Sequence, residues 1–422
     1  MSVHLAGIAG LIAVFIIGTT RPINLGVLAI AMTFVVGTFA GEAPRDMYAG
    51  FPVDLFVLLT GVTYLFGIAV QNGTVTWIVD KSVSAVGARR SLVPWVVFIM
   101  AALPAMAGAL GSTGVALLAP LAMRLGERCE IDRRMIGLMV VHGAAAGNFS
   151  PLNVLGAMVH QAVTSRGLTM SFTTLFFANL LCNVALGAVI VWLFRGRAPA
   201  NAESVDAASV VAQPVPSERS ESRDESKAAR VSTVLALLAV AVVSLGFGLS
   251  IGFVAFCAAA ILHLAFPTSS SGAERHIAWG VVLLVCGVVM YVAALQRYGT
   301  VTAIGEAITA MGRPLVAALL LCAIGAVTSA FASSAGILGA MLPLAAPFMM
   351  QGLVDTTGFV TALALSATLV DATPFSTVGA LAVANAGEHE RKHVYRGMLA
   401  WGAAMVIIAP LLTWLLFVVP KA

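Results

Sequence analysis

Residues 150–157 read SPLNVLGA, and residues 373–380 read TPFSTVGA. Both stretches place a proline and hydroxyl or amide side chains inside sequence that is otherwise apolar. A proline breaks a membrane helix, and the freed backbone groups are tolerated only where they are buried in protein or line a cavity. A pair of such breaks in matching halves of a chain is typical of a transporter's central binding site. The two stretches therefore predict two broken helices around one site.

The composition indicates a membrane protein. The 422 residues are 60% hydrophobic and 10% charged, and the mean hydropathy is +0.99. Soluble chains carry about 25% charged residues, so we expect a polytopic protein in a lipid bilayer and no nucleic-acid partner. The N-terminus lacks the basic region and cleavage site of a secretory signal, so the first apolar segment is expected to stay as a helix. The five cysteines lack CxxC or CxxH spacing, which is typical of core residues rather than of disulfides or a metal site.

Apolar segments near the length that crosses a bilayer, about 20 residues, recur along the chain. They lie at 3–19, 22–41, 53–71, 173–194, 232–249, 251–266, 276–295 and 397–419. Small polar residues interrupt two further apolar regions, 92–127 and 314–352. Each of these regions predicts a re-entrant hairpin of two short helices. The two proline stretches split 134–165 and 358–387 into half-helices.

The order of these segments is the same in both halves of the chain. Residues 1–194 and residues 232–422 each hold three spans, a re-entrant hairpin, a broken helix and a final span. Because each half crosses the membrane an odd number of times, the second half enters it upside down. The predicted fold is therefore an all-α polytopic membrane protein of two inverted repeats, with about ten membrane helices and two hairpins.

Two kinds of segment lie outside these spans. The segment 195–231 is rich in Ala, Ser and Glu and is interpreted as a flexible cytoplasmic linker between the repeats. The stretches 73–90 and 299–312 are amphipathic and flanked by charge. They are predicted to lie along the membrane surface and to carry the two hairpins.

The basic residues predict the orientation independently of the repeat. With the loops after the third span and after the first hairpin inside, eighteen of the 23 lysines and arginines lie on the cytoplasmic side. The five outside are Arg45, Arg166, Arg297, Arg313 and Lys421. This is the positive-inside pattern. It predicts that both termini face outside, that the first hairpin enters from the cytoplasm and that the second enters from outside.

Polar residues at the hairpin tips and helix breaks form the candidate binding site. Helix N-termini present unpaired N–H groups that suit carboxylates, whereas helix C-termini and unwound carbonyl groups suit a small cation. The alternative for each residue is close helix packing, but packing does not explain the matching spacing in both halves. The predicted substrate-binding residues are Ser112, Thr113, Gly114, Ser150, Pro151, Asn153, Ser333, Ser334, Ala335, Gly336, Thr373, Pro374, Ser376 and Thr377.

Asp371 is the sharpest single candidate, because a carboxylate at this depth costs about 2.5–3.5 kcal/mol on insertion scales and usually has a function. Its repeat counterpart is Asn148, so the site is asymmetric in charge. We predict a coupling-ion site for Na+ or H+ at Asn148, Asp371, Ser112 and Ser334, with no other metal and no cofactor. The alternative is a structural carboxylate. His142, in the helix before the first break, is interpreted as a packed residue with one hydrogen bond rather than a proton relay.

At these residues the chain resembles the ion transporter superfamily, and specifically the MatC-type malonate/dicarboxylate carriers related to divalent anion/sodium symporters. In the symporters, Ser-Asn-Thr hairpin tips contact substrate carboxylates and sodium, and the broken helices carry a Thr-Pro-containing loop. The loops at 150–153 and 373–377 match that pattern. The tips at 111–113 and 333–335 lack the central Asn, and Ala335 replaces one Thr, so Na+ and H+ both stay open.

The resemblance covers essentially the whole length. It implies a small dicarboxylate substrate such as malonate or a C4 acid, a homodimer and elevator-type movement of the hairpins and broken helices. A bacterial cytoplasmic (inner) membrane is the expected location.

The function predicted from the sequence is secondary active import of a small dicarboxylate. The chain has no Walker A motif, which argues against a self-contained primary pump. A cation/proton antiporter or a metalloid-oxyanion exporter of the same architecture is the alternative, and a single intramembrane acid, Asp371, disfavours the antiporter. An intramembrane enzyme using Asp371 and His142 is a remote alternative, because the chain has no GxSxG or HExxH motif. A purely structural scaffold explains neither the proline breaks nor the buried carboxylate.

Overall fold

The computed structural model describes most of the chain. It covers residues 3–21, 23–78, 90–194, 223–247, 249–300, 303, 313–331 and 334–421. Throughout these ranges the regular secondary structure is helical, so the predicted all-α fold is confirmed. The helices are numbered below so that each helix of the second half follows its counterpart in the first half by eight.

The first half contributes eight numbered helices. They are α1 (Val3–Thr20), α2 (Leu25–Phe39), α3 (Val53–Gln71), α4 (Val93–Met106), α5 (Gly111–Arg128), α6 (Arg133–Ala146), α7 (Val154–Thr164) and α8 (Phe172–Phe194). A short helix, Pro44–Ala49, lies between α2 and α3. The counterparts in the second half are α9 (Arg223–Phe247), α10 (Ile251–Ala265), α11 (Trp279–Arg297), α12 (Pro314–Ser329), α13 (Ser334–Met350), α14 (Thr356–Leu369), α15 (Thr377–Ala384) and α16 (Glu388–Phe417).

The length and composition of these helices identify a multi-pass membrane protein. Within the described ranges, six segments are long and apolar enough to cross a membrane. They are Val53–Gln71, Phe172–Phe194, Lys227–Ser244, Trp279–Arg297, Thr356–Ala384 and Glu388–Phe417. Shorter apolar helices of 10–17 residues supplement them, among them α2, α4 and α10. Large apolar side chains such as Trp192 and Leu264 lie exposed on these helices, as lipid-facing residues do.

Each predicted hairpin region contains two consecutive helices separated by only a few residues. α4 ends at Met106 and α5 begins at Gly111, while α12 ends at Ser329 and α13 begins at Ser334. The first turn differs from the expectation, because Gly111–Gly114 form the first helical turn of α5 and the connecting residues precede them. Gly108 makes that connection with a φ of 112°, a conformation that favours glycine.

Two predicted boundaries are wrong. The linker expected at 195–231 ends earlier, because α9 begins at Arg223; residues 195–222 lie outside the described ranges. The last helix begins at Glu388 rather than 397. Its first turn carries Glu388 and Glu390, and acidic residues there stabilise a helix end that extends beyond the apolar segment. Of the predicted surface stretches, 79–89, 301–302 and 304–312 also lie outside the described ranges.

The helices pack in two groups. α1, α2, α3, α9, α10 and α11 form a frame group, in which α3 packs on α10 and α2 on α11. The remaining ten form a core group, in which α8 packs on α14 and α16 on α6. These pairs exchange when the halves are exchanged, so these particular contacts are twofold. The main contacts between the groups are made by α11 with α13 and by α3 with α7. The inverted placement of the second half in the bilayer stays a prediction.

Candidate functional site

The second break joins a hairpin to a buried carboxylate. Between α14 and α15 the chain forms a 3-10 turn, Val370–Ala372, that holds Asp371 with 8% of its surface exposed. Ser334 Oγ, at the start of α13, donates to Asp371 Oδ1 at 2.5 Å. Ser329 Oγ, at the end of α12, donates to Ser334 Oγ at 3.1 Å. Both arms of the second hairpin are thus connected to the carboxylate by hydroxyl groups.

The other polar residues of the second break bond to backbone groups. Thr373 Oγ1 donates to the carbonyl oxygen of Ala330 at 2.7 Å, which ties the break to the turn of the hairpin. Ser376 Oγ accepts from the N–H of Gly379 at 3.0 Å and so caps α15. The same hydroxyl donates to the carbonyl oxygen of Asp371 at 2.5 Å. These hydrogen bonds fix the backbone on both sides of the carboxylate.

The first break uses the equivalent positions in the same way. Ser150 Oγ donates to the carbonyl oxygen of Met106 at 2.7 Å, which ties this break to the first hairpin. Asn153 caps α7 through its Oδ1 atom. Its Nδ2 group donates to the carbonyl oxygens of Ala105 and Ala109 at 2.9 and 3.0 Å. The repeated polar residues therefore hold each break against the hairpin of its own half.

A glycine recurs in both stretches because a Cβ atom at that position would clash with the backbone of the break. A Cβ atom on Gly156 would lie 2.5 Å from the carbonyl oxygen of Ser150. A Cβ atom on Gly379 would lie 1.9 Å from the carbonyl oxygen of Thr373. Only glycine allows the first turn of α7 or α15 to pack so closely on the break. The motif therefore encodes the break geometry as well as its polar groups.

Asn148, the counterpart of Asp371, has an unsatisfied side chain. It is 4% exposed, and within the described residues its Oδ1 atom has no hydrogen-bond partner. The next residue, Phe149, has a φ of 63°, which is unusual for a residue other than glycine. A buried acceptor without a partner costs about 1–3 kcal/mol and calls for an explanation. A bound cation or hydrogen-bond donor would supply the missing partner.

The hairpins and breaks of the two halves meet. α5 of the first hairpin packs on α15, and α13 of the second hairpin packs on α7. The turn that holds Asp371 packs on α6. Ser112 and Thr113 are half-buried in the first turn of α5, whose cap residue Leu110 supplies no side-chain hydrogen bond. The N–H groups of this turn are therefore available to a ligand.

The remaining predicted residues differ in exposure. Gly114, Ala335, Gly336 and Pro374 are buried, whereas Pro151 and Thr377 are exposed. Ser333 lies outside the described residues. The predicted substrate and ion roles of the whole set stay predictions, while the structure brings its described members to the tips and breaks where the two halves meet.

Sequence reasoning missed a chain of hydrogen-bonded polar side chains beside the first break. His142 makes two hydrogen bonds rather than the expected one: Trp401 Nε1 donates to its Nε2 at 2.9 Å, and its Nδ1 lies 2.9 Å from Asn183 Oδ1. Asn179 and Asn183 are both buried on α8. Two asparagines spaced by four inside an apolar span were the available signal, because polar residues at that depth need partners.

Comparison with known proteins supports part of this picture. Residues 1–148 match the family model of the dicarboxylate carrier protein MatC N-terminus. Over these residues the expected resemblance is confirmed. No curated protein matches the chain.

A solved structure shares the fold. The crystal structure of the Alcanivorax borkumensis YdaH transporter, described as having an unusual topology, aligns with a TM-score of 0.60 at 15% sequence identity. The alignment covers 90% of this chain and 88% of that chain. At this identity the likeness establishes the all-α fold over nearly the whole length.

Proposed function

We propose that the protein is a secondary active transporter that imports a small dicarboxylate, such as malonate or a C4 acid, coupled to Na+ or H+. The observation that carries the proposal is that each hairpin packs on the half-helix that follows the break of the other half, while the breaks themselves hold the buried Asp371 and the buried Asn148 with its unsatisfied oxygen. The match of residues 1–148 to a dicarboxylate carrier family supports the substrate class. A bacterial cytoplasmic membrane, with both termini outside, is part of the proposal.

The first turn of α5 is the proposed place for a substrate carboxylate. Its N-terminal N–H groups carry partial positive charge, and Ser112 and Thr113 add hydroxyl donors. The corresponding turn of α13, with Ser334 and Gly336, is proposed for the second carboxylate. Ser150, Asn153, Thr373 and Ser376 already bond to backbone groups, so their proposed contribution is chiefly to hold the breaks. Thr377, at the start of α15, is exposed, whereas Thr373 and Ser376 are buried.

The coupling ion is proposed to bind at the breaks. Asp371 and Ser334 supply a carboxylate and a hydroxyl oxygen on one side, and Asn148 supplies an amide oxygen on the other. These oxygen ligands suit Na+, and the carboxylate alone suits a proton. An anion placed beside Asp371 is repelled until a cation has neutralised that charge. Binding of the ion and of the substrate is thus coupled, since each raises the affinity for the other.

The division into two groups of helices supports an elevator-type movement. The hairpins and breaks all belong to the core group, and this group meets the frame mainly through α13 on α11 and α7 on α3. At Gly336 a Cβ atom would come within 3.2 Å of Leu284, so glycine at this position lets α13 pack closely on α11. We propose that the core group carries the site across the bilayer against a frame that forms a homodimer.

Uptake into proteoliposomes tests the function. Purified protein is reconstituted, and labelled malonate and succinate are offered under an inward Na+ gradient, an inward H+ gradient or no gradient. We expect accumulation of at least one acid above empty liposomes under one of the two gradients. Accumulation of neither acid under either gradient, with correctly folded and inserted protein, would overturn the proposal.

A further inference from the structure

The first break leaves backbone carbonyl groups without the N–H donors that a continuing helix would provide. One side chain on another helix supplies additional donors to them. Asn179 Nδ2, on α8, donates to the carbonyl oxygen of Ala145 at 2.8 Å and to that of Asn148 at 3.1 Å. It also lies 3.3 Å from the carbonyl oxygen of Ala146. A single buried amide thus reaches three carbonyl groups at the C-terminal end of α6 and in the turn that follows, adding to the backbone bond from the Asn148 N–H to the carbonyl oxygen of Ala145.

The orientation of this amide is set by a chain of hydrogen bonds. Asn183 Nδ2 donates to Asn179 Oδ1 at 3.1 Å, so the Nδ2 group of Asn179 must face the break. The Oδ1 atom of Asn183 is then an acceptor, and His142 Nδ1 must be its donor. Since the indole N–H of Trp401 is a donor only, His142 Nε2 carries no proton. Each of these side chains therefore has a fixed donor or acceptor role, and the assignment starts from the indole N–H of Trp401.

The chain crosses three helices and reaches the candidate site. Trp401 lies on α16, His142 on α6 and both asparagines on α8. His142, Asn179 and Asn183 are at most 1% exposed, so water does not compete for their hydrogen bonds. The chain ends on the carbonyl group of Asn148, whose own side chain has an unsatisfied oxygen.

The second half has no amide side chain at the position that corresponds to Asn179. Counting by the spacing of the two proline stretches, the counterpart of Asn179 is Gly402, and a Cβ atom there would lie 2.3 Å from Thr373 Cγ2. The side chain of the break itself occupies the space that an amide fills in the first half. Asn179 is therefore specific to the first break and not a general feature of the repeat.

We propose that Asn179 is a positioning residue: its amide, oriented by Trp401, His142 and Asn183, fixes the backbone of the first break and with it the ligand oxygen of Asn148. The consequence for uptake rests on the proposed function. The consequence for the break itself does not, because it is a property of the protein without substrate.

Hydrogen–deuterium exchange of the backbone tests the position of the break. Asn179→Asp keeps the shape of the side chain but removes both donors, and His142→Leu interrupts the chain. We expect each to raise exchange in peptides covering 143–150 at least tenfold. His142→Gln offers an amide NH2 donor group and an oxygen acceptor, so it should restore exchange close to that of the wild type.

A matched control separates positioning from general loosening. Asn72 Nδ2 donates to Thr233 Oγ1 at 2.7 Å within the frame group, and Asn72→Asp removes that donor. Wild-type exchange at 143–150 in Asn179→Asp, or an equal rise in Asn72→Asp, would overturn the proposal. So would equal exchange in His142→Leu and His142→Gln.

Uptake provides a second, independent measurement. In proteoliposomes, Asn179→Asp should raise the ion or substrate concentration for half-maximal uptake about tenfold relative to Asn72→Asp, with an equal amount of folded protein. If the wild type transports neither acid, the proposed function fails, and the exchange result still decides the positioning role. Normal half-maximal concentrations together with raised exchange would refute the link between the break and the ligand oxygen.

Discussion

The two helix breaks share one sequence motif but differ in the groups that surround it. The second break is held by hydroxyl groups around a carboxylate, with Ser334 bonded to Asp371. The first break has one such hydroxyl group, that of Ser150, and is otherwise held by amide groups, with Asn153 and Asn179 donating to backbone carbonyl oxygens. At the position of Asp371, the first break has Asn148 with an unsatisfied oxygen. One break therefore carries an ionisable carboxyl group and the other a neutral amide.

This difference shows that the motif and the charge serve separate purposes. The hydroxyl groups of Ser150 and Thr373 tie each break to its own hairpin, at 2.7 Å in both halves. The glycine that follows lets each half-helix start close to the break. These features are common to both halves and belong to the architecture. The residues that differ between the copies are the ones expected to determine the ion and its coupling.

The largest effect is expected from removing the charge. Asp371→Ala should lower gradient-driven uptake about 100-fold, which corresponds to about 2.7 kcal/mol, because the proposed ion site loses its carboxylate. Asn148→Ala should lower it about tenfold, since one neutral oxygen is lost. Initial uptake rates per amount of reconstituted protein measure both. Equal losses in the two variants would mean that the two breaks contribute alike.

The glycine substitutions test the shared architecture. Gly379→Ala and Gly156→Ala should each reduce stability by about 1–3 kcal/mol, as overpacking does, with the larger loss at Gly379, where the Cβ atom meets backbone at 1.9 Å. Thermal unfolding in detergent measures the loss. Gly387→Ala is the control, because nothing lies within 4 Å of a Cβ atom there. Unchanged stability in both variants would contradict the close packing of the half-helices.

Loss of the hairpin hydroxyl should have an intermediate effect on binding. Ser334→Ala removes a charge-assisted hydrogen bond to Asp371, so we expect about a tenfold higher substrate concentration for half-maximal uptake. Ser112→Ala should weaken affinity at the other hairpin. Thr328→Ala is the matched control, because that hydroxyl bonds to Ile324 of its own helix. Unchanged affinity in both serine variants, with normal membrane insertion, would remove the hairpins from the site.

The smallest effect concerns the helices that enter the breaks. Asp132 caps α6 as Asp355 caps α14. Burial opposes the charge of Asp132, but its hydrogen bonds to Arg134 and the positive charge of that residue outweigh burial and lower the pKa of Asp132. Because Asn also caps helices, Asp132→Asn isolates the charge and should cost about 0.3–1 kcal/mol.

The pH dependence of that loss follows from the lowered pKa. A carboxyl group with a lower pKa in the folded state stabilises the protein above its ordinary value, about 3.9, and the stabilisation disappears as the pH falls through the lowered pKa. The difference in melting temperature between wild type and Asp132→Asn should therefore persist from pH 5 to 8 and shrink below about pH 4. A difference that grows on acidification would contradict the charge pair with Arg134.

Much of the architecture follows from local sequence. Apolar length predicts helices such as α3 and α8 nearly to the residue, and the repeated proline stretches predict both breaks. The acidic start of α16 misled the prediction, because it is helical without being apolar. The turn of the first hairpin was also misplaced, since Gly111–Gly114 are compatible with either a loop or a helix start.

The polar chain from Trp401 to Asn179 was beyond prediction for a physical reason. Its members lie on three helices that are distant in sequence, and their roles depend on which donor faces which acceptor. The same holds for Ser150 and Asn153, which look like ligands in the sequence but bond to carbonyl groups of the first hairpin. Asp371 was identified correctly as a buried carboxylate, because a carboxylate inside an apolar segment is rare and stands out without knowledge of its neighbours.

The most direct test of the difference between the breaks is uptake by Asp371→Asn in proteoliposomes, measured with and without an inward Na+ or H+ gradient. If Asp371 binds the coupling ion, the gradient that accelerates uptake by the wild type should no longer accelerate uptake by this variant. Asn148→Asp, measured alongside, should keep its response to a gradient. Wild-type acceleration by the same ion in Asp371→Asn would contradict the assignment and make the carboxylate a structural group.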